Sequence, residues 1–519
     1  MIRFTGKIIK GLSRVVFSRS LAFLLMILLQ LLVLVGGSIY LAGKFPYIYY
    51  AFSVAAGMVL IKIINADEPA EFKLTWAVII IVLPVLGITL YFFNASNWGL
   101  VGLKHRVENE LLVSRHLVRT SEGTKKALLD QPKVFQHFAY YMSEKCSFPT
   151  FHNTEVTYYP TGKEKLEALI EELKKAKKFI FIEYFIIGRG EIWDRVFEIL
   201  KEKVQEGVEV KVMYDGLCSL LKLPYRYPKK LGEYGIEAKM FAPLIPFLST
   251  AQNNRDHRKI VVIDGRVAFT GGVNLADEYA NLKEVYGHWK DVGIKLEGRA
   301  VMAMTRLFIQ NWNLYGKIEV DYEKYLDETN HIPHYEHNGF VIPYGDMPTD
   351  KLETGKMVYA DLFTNATEYV HIMMPYFIID REFFSTIRYA SMRGVDVRLI
   401  LPHIPDKKAA FSIARSFYPD LLEAGVRVYE YTPGFVHAKV MVSDDTVATV
   451  GSVNLDYRSF YHHFENGVYL YDTSVTGQIE EDFQKTMAQS MEVDINYYKS
   501  IPVLSRACGR VLRLFAPLM

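Results

Sequence analysis

The feature that most constrains this chain is a duplication. The segment His257-Arg258-Lys259-Ile-Val-Val-Ile-Asp264, followed by Gly271-Gly272-Val273-Asn274, returns as His437-Ala438-Lys439-Val-Met-Val-Ser-Asp444 and Gly451-Ser452-Val453-Asn454, offset by 180 residues at each position. Earlier parts of the chain repeat as well. Phe179–Ile187 and Tyr369–Ile379 are apolar runs of strand length, rich in β-branched and aromatic residues. Each leads through a helical stretch to a Gly-Val-acid-Val strand signal, at Gly207–Val210 and Gly394–Val397, and then to a further strand start at Gly235-Ile236 and Gly425-Val426. Strands alternating with helices predict an α/β fold, a sheet covered by helices. Residues 130–325 and 326–500 are therefore expected to be two copies of one fold, packed about a pseudo-twofold axis.

The repeated motif also carries chemistry. The apolar residues after the lysine mark a strand, where positions i and i+2 share a face, so His257 projects with Lys259 and His437 with Lys439. Asp264-Gly265 and Asp444-Asp445 suit tight turns, and a second strand runs back into the Gly-rich segment, where backbone approaches a ligand closely. Two halves facing each other bring together two imidazoles, two ammoniums and the amides of Asn274 and Asn454. A phosphodiester needs a nucleophile, an acid for the leaving oxygen and cations around phosphorus, and this set supplies all three without a metal or cofactor.

The duplicated HxKxxxxD resembles the HKD motif of the phospholipase D superfamily. Longer stretches resemble bacterial cardiolipin synthases: Asn254–Lys259, Phe269–Asn274, Asp277-Glu278-Tyr279, Pro375–Ile378 and Arg513–Met519. The resemblance covers essentially the whole chain and implies two tandem phospholipase D-like domains and a two-step reaction through a phosphohistidine. It assigns His257 as nucleophile and His437 as general acid and then base, with the reverse left open by symmetry. Lys259, Lys439, Asn274 and Asn454 are expected at the phosphoryl oxygens, with Ser452 as a substrate contact in one half, since Gly272 takes its place in the other. Asp264 and Asp444 complete the motif, with turn and packing roles. Asp291 and Glu465 are expected to orient the histidines through their second ring nitrogen.

A membrane substrate is expected from the start of the chain. Half the residues are hydrophobic and mean hydropathy is +0.07, an excess concentrated in residues 21–94. Three apolar runs occur there, Leu21–Gly43, Phe45–Asn65 and Leu74–Asn94, the last interrupted by Pro84 and Gly87. They predict an N-terminal membrane region, residues 1–100, with two or three transmembrane helices, and hence a multi-pass protein of the cell membrane. The basic leader favours a cytoplasmic N-terminus, but the side of the catalytic region depends on the number of spans. The last segment, 501–519, reads as amphipathic, either lying in the membrane interface or docked on the domain.

The expected substrate is phosphatidylglycerol in the bilayer, two molecules giving cardiolipin and glycerol. The same core would serve water or serine as acceptor. A membrane-tethered nuclease needs a basic groove, and a net charge of +2 offers no such footprint, so no nucleic-acid partner is expected. A non-catalytic scaffold has no use for two complete motifs. Whether the chain forms a homo-oligomer stays open. The surplus loop before the first motif, Leu244–Leu248, is read either as an acyl-chain contact or as ordinary packing. The three scattered cysteines, Cys146, Cys218 and Cys508, suggest neither zinc nor disulfides and are expected to be buried.

Overall fold

The computed structural model describes residues 28–518 apart from seven positions between 30 and 45 and the segments 96–100, 225, 244–249, 316–318, 327–338 and 349–351. The basic leader, most of the first apolar run and the Leu244–Leu248 loop lie outside the described residues.

The duplication is built as two sheets. The first contains Thr154–Tyr159 (β1), Phe179–Tyr184 (β2), Glu209–Asp215 (β3), Glu237–Phe241 (β4), Lys259–Ile263 (β5), Val267–Gly271 (β6) and Gly293–Gly298 (β7), in the order β1-β7-β6-β5-β2-β3-β4. The second contains Phe340–Asp346 (β8), Tyr369–Met373 (β9), Asp396–Pro402 (β10), Arg427–Tyr431 (β11), Val440–Ser443 (β12), Val447–Gly451 (β13), His463–Tyr471 (β14) and Ser490–Val493 (β15). Its order, β8-β14-β13-β12-β9-β10-β11-β15, repeats the first and adds one edge strand. Both sheets are mixed: β2 pairs parallel with β3 and antiparallel with β5, and β9 does the same with β10 and β12. The expected architecture of two tandem α/β repeats is therefore present.

Burial explains why these strands read as continuous apolar runs rather than alternating ones. All six residues of β2 and all five of β5 are buried, because helices cover one face and the other half covers the second. Between the sheets runs the helix Val301–Leu314, every residue of which is buried. One core joins Phe181, Ile260 and Val262 of the first half to Leu307 and Phe308 of that helix and to Val370 and Ile372 of the second half. The two repeats form one body.

The motif hairpins have the predicted turns. Asp264 and Gly265 have φ of 55° and 66°, and Asp444 and Asp445 have 52° and 53°, the left-handed pair that a two-residue hairpin of type I′ requires. The Asp264 carboxylate accepts hydrogen bonds from the backbone amides of Lys177, Lys178 and Phe179 at 2.7–2.9 Å. Asp444 does the same for Thr367, Glu368 and Tyr369 at 2.6–3.1 Å. Each aspartate thus ties its hairpin to the start of the central strand, roughly 20 Å along extended chain from its histidine. Asp264→Ala leaves three amides without an acceptor and puts a β-carbon with no polar group at positive φ. It should cost about 2–4 kcal/mol of stability. Urea unfolding reads that loss, while turnover per folded molecule should stay at the parent level.

The N-terminal helices differ from expectation. Pro46–Ile64 (α1) covers the second apolar run, but the third is two helices, Ala70–Val82 (α2) and Pro84–Ala95 (α3). Among the described residues no helix is long and apolar enough to cross a membrane. Pro84 lacks an amide hydrogen and disfavours helical geometry at the residue before it, and Leu83 accordingly leaves the helix at φ −134°, ψ 74°. The chain folds back so that the Trp76 and Tyr91 rings meet at 5.5 Å. Gly87 permits the reversal, since a β-carbon there would lie 2.7 Å from the Cα of Ile80. With 13 and 12 residues, α2 and α3 are each about 20 Å long, short of a bilayer core of about 30 Å. Cys146 and Cys218 are buried as expected, but Cys508 is exposed.

Candidate active site

The site lies where the two repeats exchange short strands. Arg255-Asp256 leaves its own sheet and pairs parallel with His463-Phe464 of β14, and Gly434–Val436 pairs in the same way with His288–Lys290. The exchange is reciprocal in its hydrogen bonds. His257 donates its amide to the Phe464 carbonyl at 2.9 Å, and His437 donates to the Lys290 carbonyl at 2.7 Å. Each motif histidine is thus held by the residue that precedes the other half's acid.

That placement decides which carboxylate serves which imidazole. Glu465, of the second half, meets Nδ1 of His257 at 2.9 and 3.0 Å. Asp291, of the first half, meets Nδ1 of His437 at 2.7 Å. Both acids are fully buried, and the two histidines are 6% and 8% exposed. The Lys259 and Lys439 ammoniums both donate to the carbonyl of their own motif histidine, and Lys439 also lies 3.0 Å from Nδ1 of His437. Arg255 and the Asp256 amide are anchored on Asp215, and Arg258 donates to the Glu465 carbonyl at 3.1 Å.

The two halves are chemically unlike. Ser452 donates to Glu465 at 2.5 Å and Ser459 donates to it at 2.7 Å. Ser452, expected at the substrate, therefore spends its proton on the carboxylate. Position 272 has no room for the counterpart: a β-carbon on Gly272 would lie 2.1 Å from Oδ1 of Asp291. Among the described residues Asp291 accepts the Val292 amide besides its contact with His437.

The electrostatics follow. Burial alone would raise Glu465, but the charge and hydrogen bond of His257, with a contribution from His463, outweigh it and hold the carboxyl far below its ordinary value. Burial pushes Asp291 up to about 7 despite the nearby Lys439 and Lys259. Both histidines are driven well down, His257 by burial against the pull of Glu465, and His437 by burial and the neighbouring lysines. Burial also lowers Lys259 to about 8 and Lys439 to about 7. Glu465 is thus an ionised acceptor for an Nδ1–H of His257. Asp291 is far more readily protonated than Glu465, so near neutrality the proton between it and Nδ1 of His437 is available to either partner.

The two asparagines also diverge. Asn274 is engaged, accepting from the Ile186 amide at 3.1 Å and donating to the Tyr279 hydroxyl at 2.7 Å. The Oδ1 of Asn454 is buried without a hydrogen-bond partner. Aromatic rings wall the histidines, Phe185 at 5.1 Å from His257 and Tyr279 and Trp289 at 5.3 and 5.4 Å from His437.

Sequence reasoning missed two residues. Ser459 lies outside the motif in the short helix Tyr457–Tyr461; its signal was the capping pattern Asp456-x-x-Ser459, which places its hydroxyl beside Glu465. His463 lies 3.5 Å from Glu465, and its ring centre is 5.4 Å from that of His257. Its only signal was a histidine two residues before the acid. His257, His463 and Glu465 bring ligand atoms within 4.8 Å of one another, a donor set of the kind that suits zinc. Against a cation there stand two nearby lysines and a carboxylate that already accepts from His257, Ser452 and Ser459.

A family model described as cardiolipin synthase, phospholipase D-like domain, matches residues 169–295 and again 359–487, and one described as phospholipase D-nuclease N-terminal matches 54–93. A cardiolipin synthase of a Geobacillus species is 32% identical over 87% of this chain and 89% of its own. Cardiolipin synthase 2 of Bacillus anthracis is 32% identical over 90% and 91%. The chain belongs to the bacterial cardiolipin synthase family of the phospholipase D superfamily. An uncharacterized protein of Streptococcus mutans shares 42% identity over 89% of this chain and 99% of its own. Among solved structures, the phosphatidylserine synthase of Haemophilus influenzae superposes with a TM-score of 0.53 at 18% identity, over 70% of this chain and 93% of that one, a likeness of fold. As a family member the protein is an enzyme of the phosphatidyltransferase class.

Proposed function

We propose that this cardiolipin synthase family member transfers a phosphatidyl group between two phosphatidylglycerol molecules, releasing glycerol, through a phosphohistidine on His257. The observation that carries the division of labour is the unequal pair of carboxylates. With ionised Glu465 accepting its Nδ1–H, His257 presents a lone pair at Nε2, the form a nucleophile needs. With Asp291 donating to its Nδ1, His437 carries its proton at Nε2, the form a general acid needs. Nε2 of His257 attacks phosphorus, the bond to the glycerol oxygen breaks, and His437 gives that oxygen its proton. The hydroxyl of the second phosphatidylglycerol then returns a proton to His437 as its oxygen displaces His257 from phosphorus. Lys259 and Lys439 balance the phosphoryl charge, and Asn454 is free to contact substrate. We also infer attachment to the cell membrane through the apolar region before residue 95, with the run Leu21–Gly43 as its spanning segment.

Purified protein given phosphatidylglycerol in mixed micelles should yield cardiolipin and glycerol in equal amounts. Phosphatidic acid as the sole lipid product would make it a hydrolase instead. The pH profile tests the roles. Asp291 must hold its proton at the start, as must Lys439 and Lys259, and burial brings these three to about 7, 7 and 8. Raising the pH through that window removes those protons, so kcat/KM should fall on the alkaline side, by about tenfold or more per unit once several are lost. A profile flat to pH 9 would refute the assignment.

A further inference from the structure

The C-terminal helix Val503–Phe515 (α5) has its amphipathicity turned inside out. It lies on the helix Lys408–Ser416 (α4), so close that a β-carbon on Gly509 would fall 2.3 Å from the Ser412 carbonyl oxygen. The side facing the domain carries charge: the Arg513 guanidinium stacks on Phe417 at 3.6 Å and lies 3.6 Å from Asp420, and Arg506 stacks on Tyr498 at 5.5 Å. The outer side is apolar. Val503, Leu504, Ala507, Cys508 and Val511 recur at helical spacing along one stripe roughly 140° wide. Val503, Leu504 and Val511 are 71%, 82% and 60% exposed. An ordinary surface helix has the opposite arrangement, so the outer stripe has an occupant.

The neighbouring elements say what it is. The Thr75 hydroxyl of α2 donates to the Leu514 carbonyl at 2.7 Å, and Phe72 sets its ring edge-on to Tyr457, Tyr461 and His462. Helix α2, which packs on α1 and α3, therefore stands against α5, and its Leu74, Ile81 and Val82 are more than half exposed, as is the α5 stripe. Arg510, exposed at the margin of the stripe, is suited to anionic headgroups.

We propose that the outer stripe of α5 lies in the lipid interface, and that with α2 it fixes the catalytic body against the bilayer at a second point besides the N-terminal region. The inference shares membrane attachment with the function proposed above but none of its chemistry. Docking at both ends of the chain holds the cleft in one orientation to the surface, whereas a single tether leaves it free to rotate.

Cys508 sits in the stripe itself, and the other two cysteines are buried, so the full-length protein can be labelled there with an environment-sensitive fluorophore. In vesicles of phosphatidylcholine and phosphatidylglycerol the emission should shift to the blue. Lipids carrying a quencher near the headgroup should quench it, and aqueous iodide should not. Leu504→Asp with Val511→Asp should restore iodide access and slow phosphatidyl transfer on vesicles by about tenfold. A label that stays open to iodide in vesicles overturns the proposal. So does a label sheltered from iodide that the headgroup-level lipid quencher leaves bright, which would place a second copy or another protein on the stripe. Because depth is read without any product, a failed transfer assay and a failed docking are told apart.

Discussion

Presented with a phosphatidyl ester of p-nitrophenol and quenched in alkali, the His437→Ala protein will be found covalently phosphatidylated, and the His257→Ala protein will not. The reason is the leaving group. Nitrophenolate departs without a proton, so the first step needs only the nucleophile; the second still needs a base for the incoming hydroxyl, and without His437 the intermediate accumulates. With phosphatidylglycerol itself both variants should lose nearly all turnover, roughly 10⁴-fold or more, since residues that act as one unit fail together. Mass spectrometry of the quenched protein places the adduct. An adduct on His437 in the His257→Ala protein would invert the assignment, and equal labelling of both variants would end the idea of a division of labour.

The second large effect is expected at Glu465. Glutamine there preserves shape but not charge, and the amide cannot stabilise the imidazolium character that His257 gains on attack. The turnover of Glu465→Gln should fall by about 10³–10⁴-fold, the scale seen when a catalytic imidazole loses its ionised partner. Asp291→Asn should be milder, about 10–100-fold, because its amide can donate to Nδ1 of His437 much as the protonated acid does. The alkaline limb of the kcat/KM profile should be shallower in the same variant, with Lys439 still breaking it near pH 7. Near-equal losses at the two acids would mean that Ser452 and Ser459 do not distinguish the halves. Unchanged urea midpoints for both variants separate these effects from loss of fold.

The fold was legible because its signals are local. Runs such as FIFIEY in β2 and HxKxxxxD at β5 read as buried strands on period and composition, and a second copy at constant offset confirmed the unit. The turn role of Asp264 and Asp444 was equally readable, since Asp followed by Gly or Asp between two strands is a hairpin signal. The third apolar run misled because hydropathy sums side chains over a window and cannot register a backbone reversal. In the sequence Pro84 and Gly87 merely interrupt one apolar run, whereas in the fold they turn it back on itself. Ser452 misled for a different reason. Its place in the motif suggested a ligand contact, but which acceptor a hydroxyl finds depends on a carboxylate thirteen residues on and across a strand.

From sequence alone came the inventory: two histidines, two lysines, two acids, two matched α/β repeats and an apolar N-terminal region. Each of these is a matter of residue type at fixed spacing, which local chain geometry carries. Tertiary structure alone decided the partnerships. Glu465 belongs to His257 and Asp291 to His437 because short strands cross between the repeats, and only the Glu465 side has room for two serine hydroxyls. Those differences set one carboxyl far below neutrality and the other near it, and burial and distance, which no spacing rule contains, make the two halves of a duplicated motif unequal.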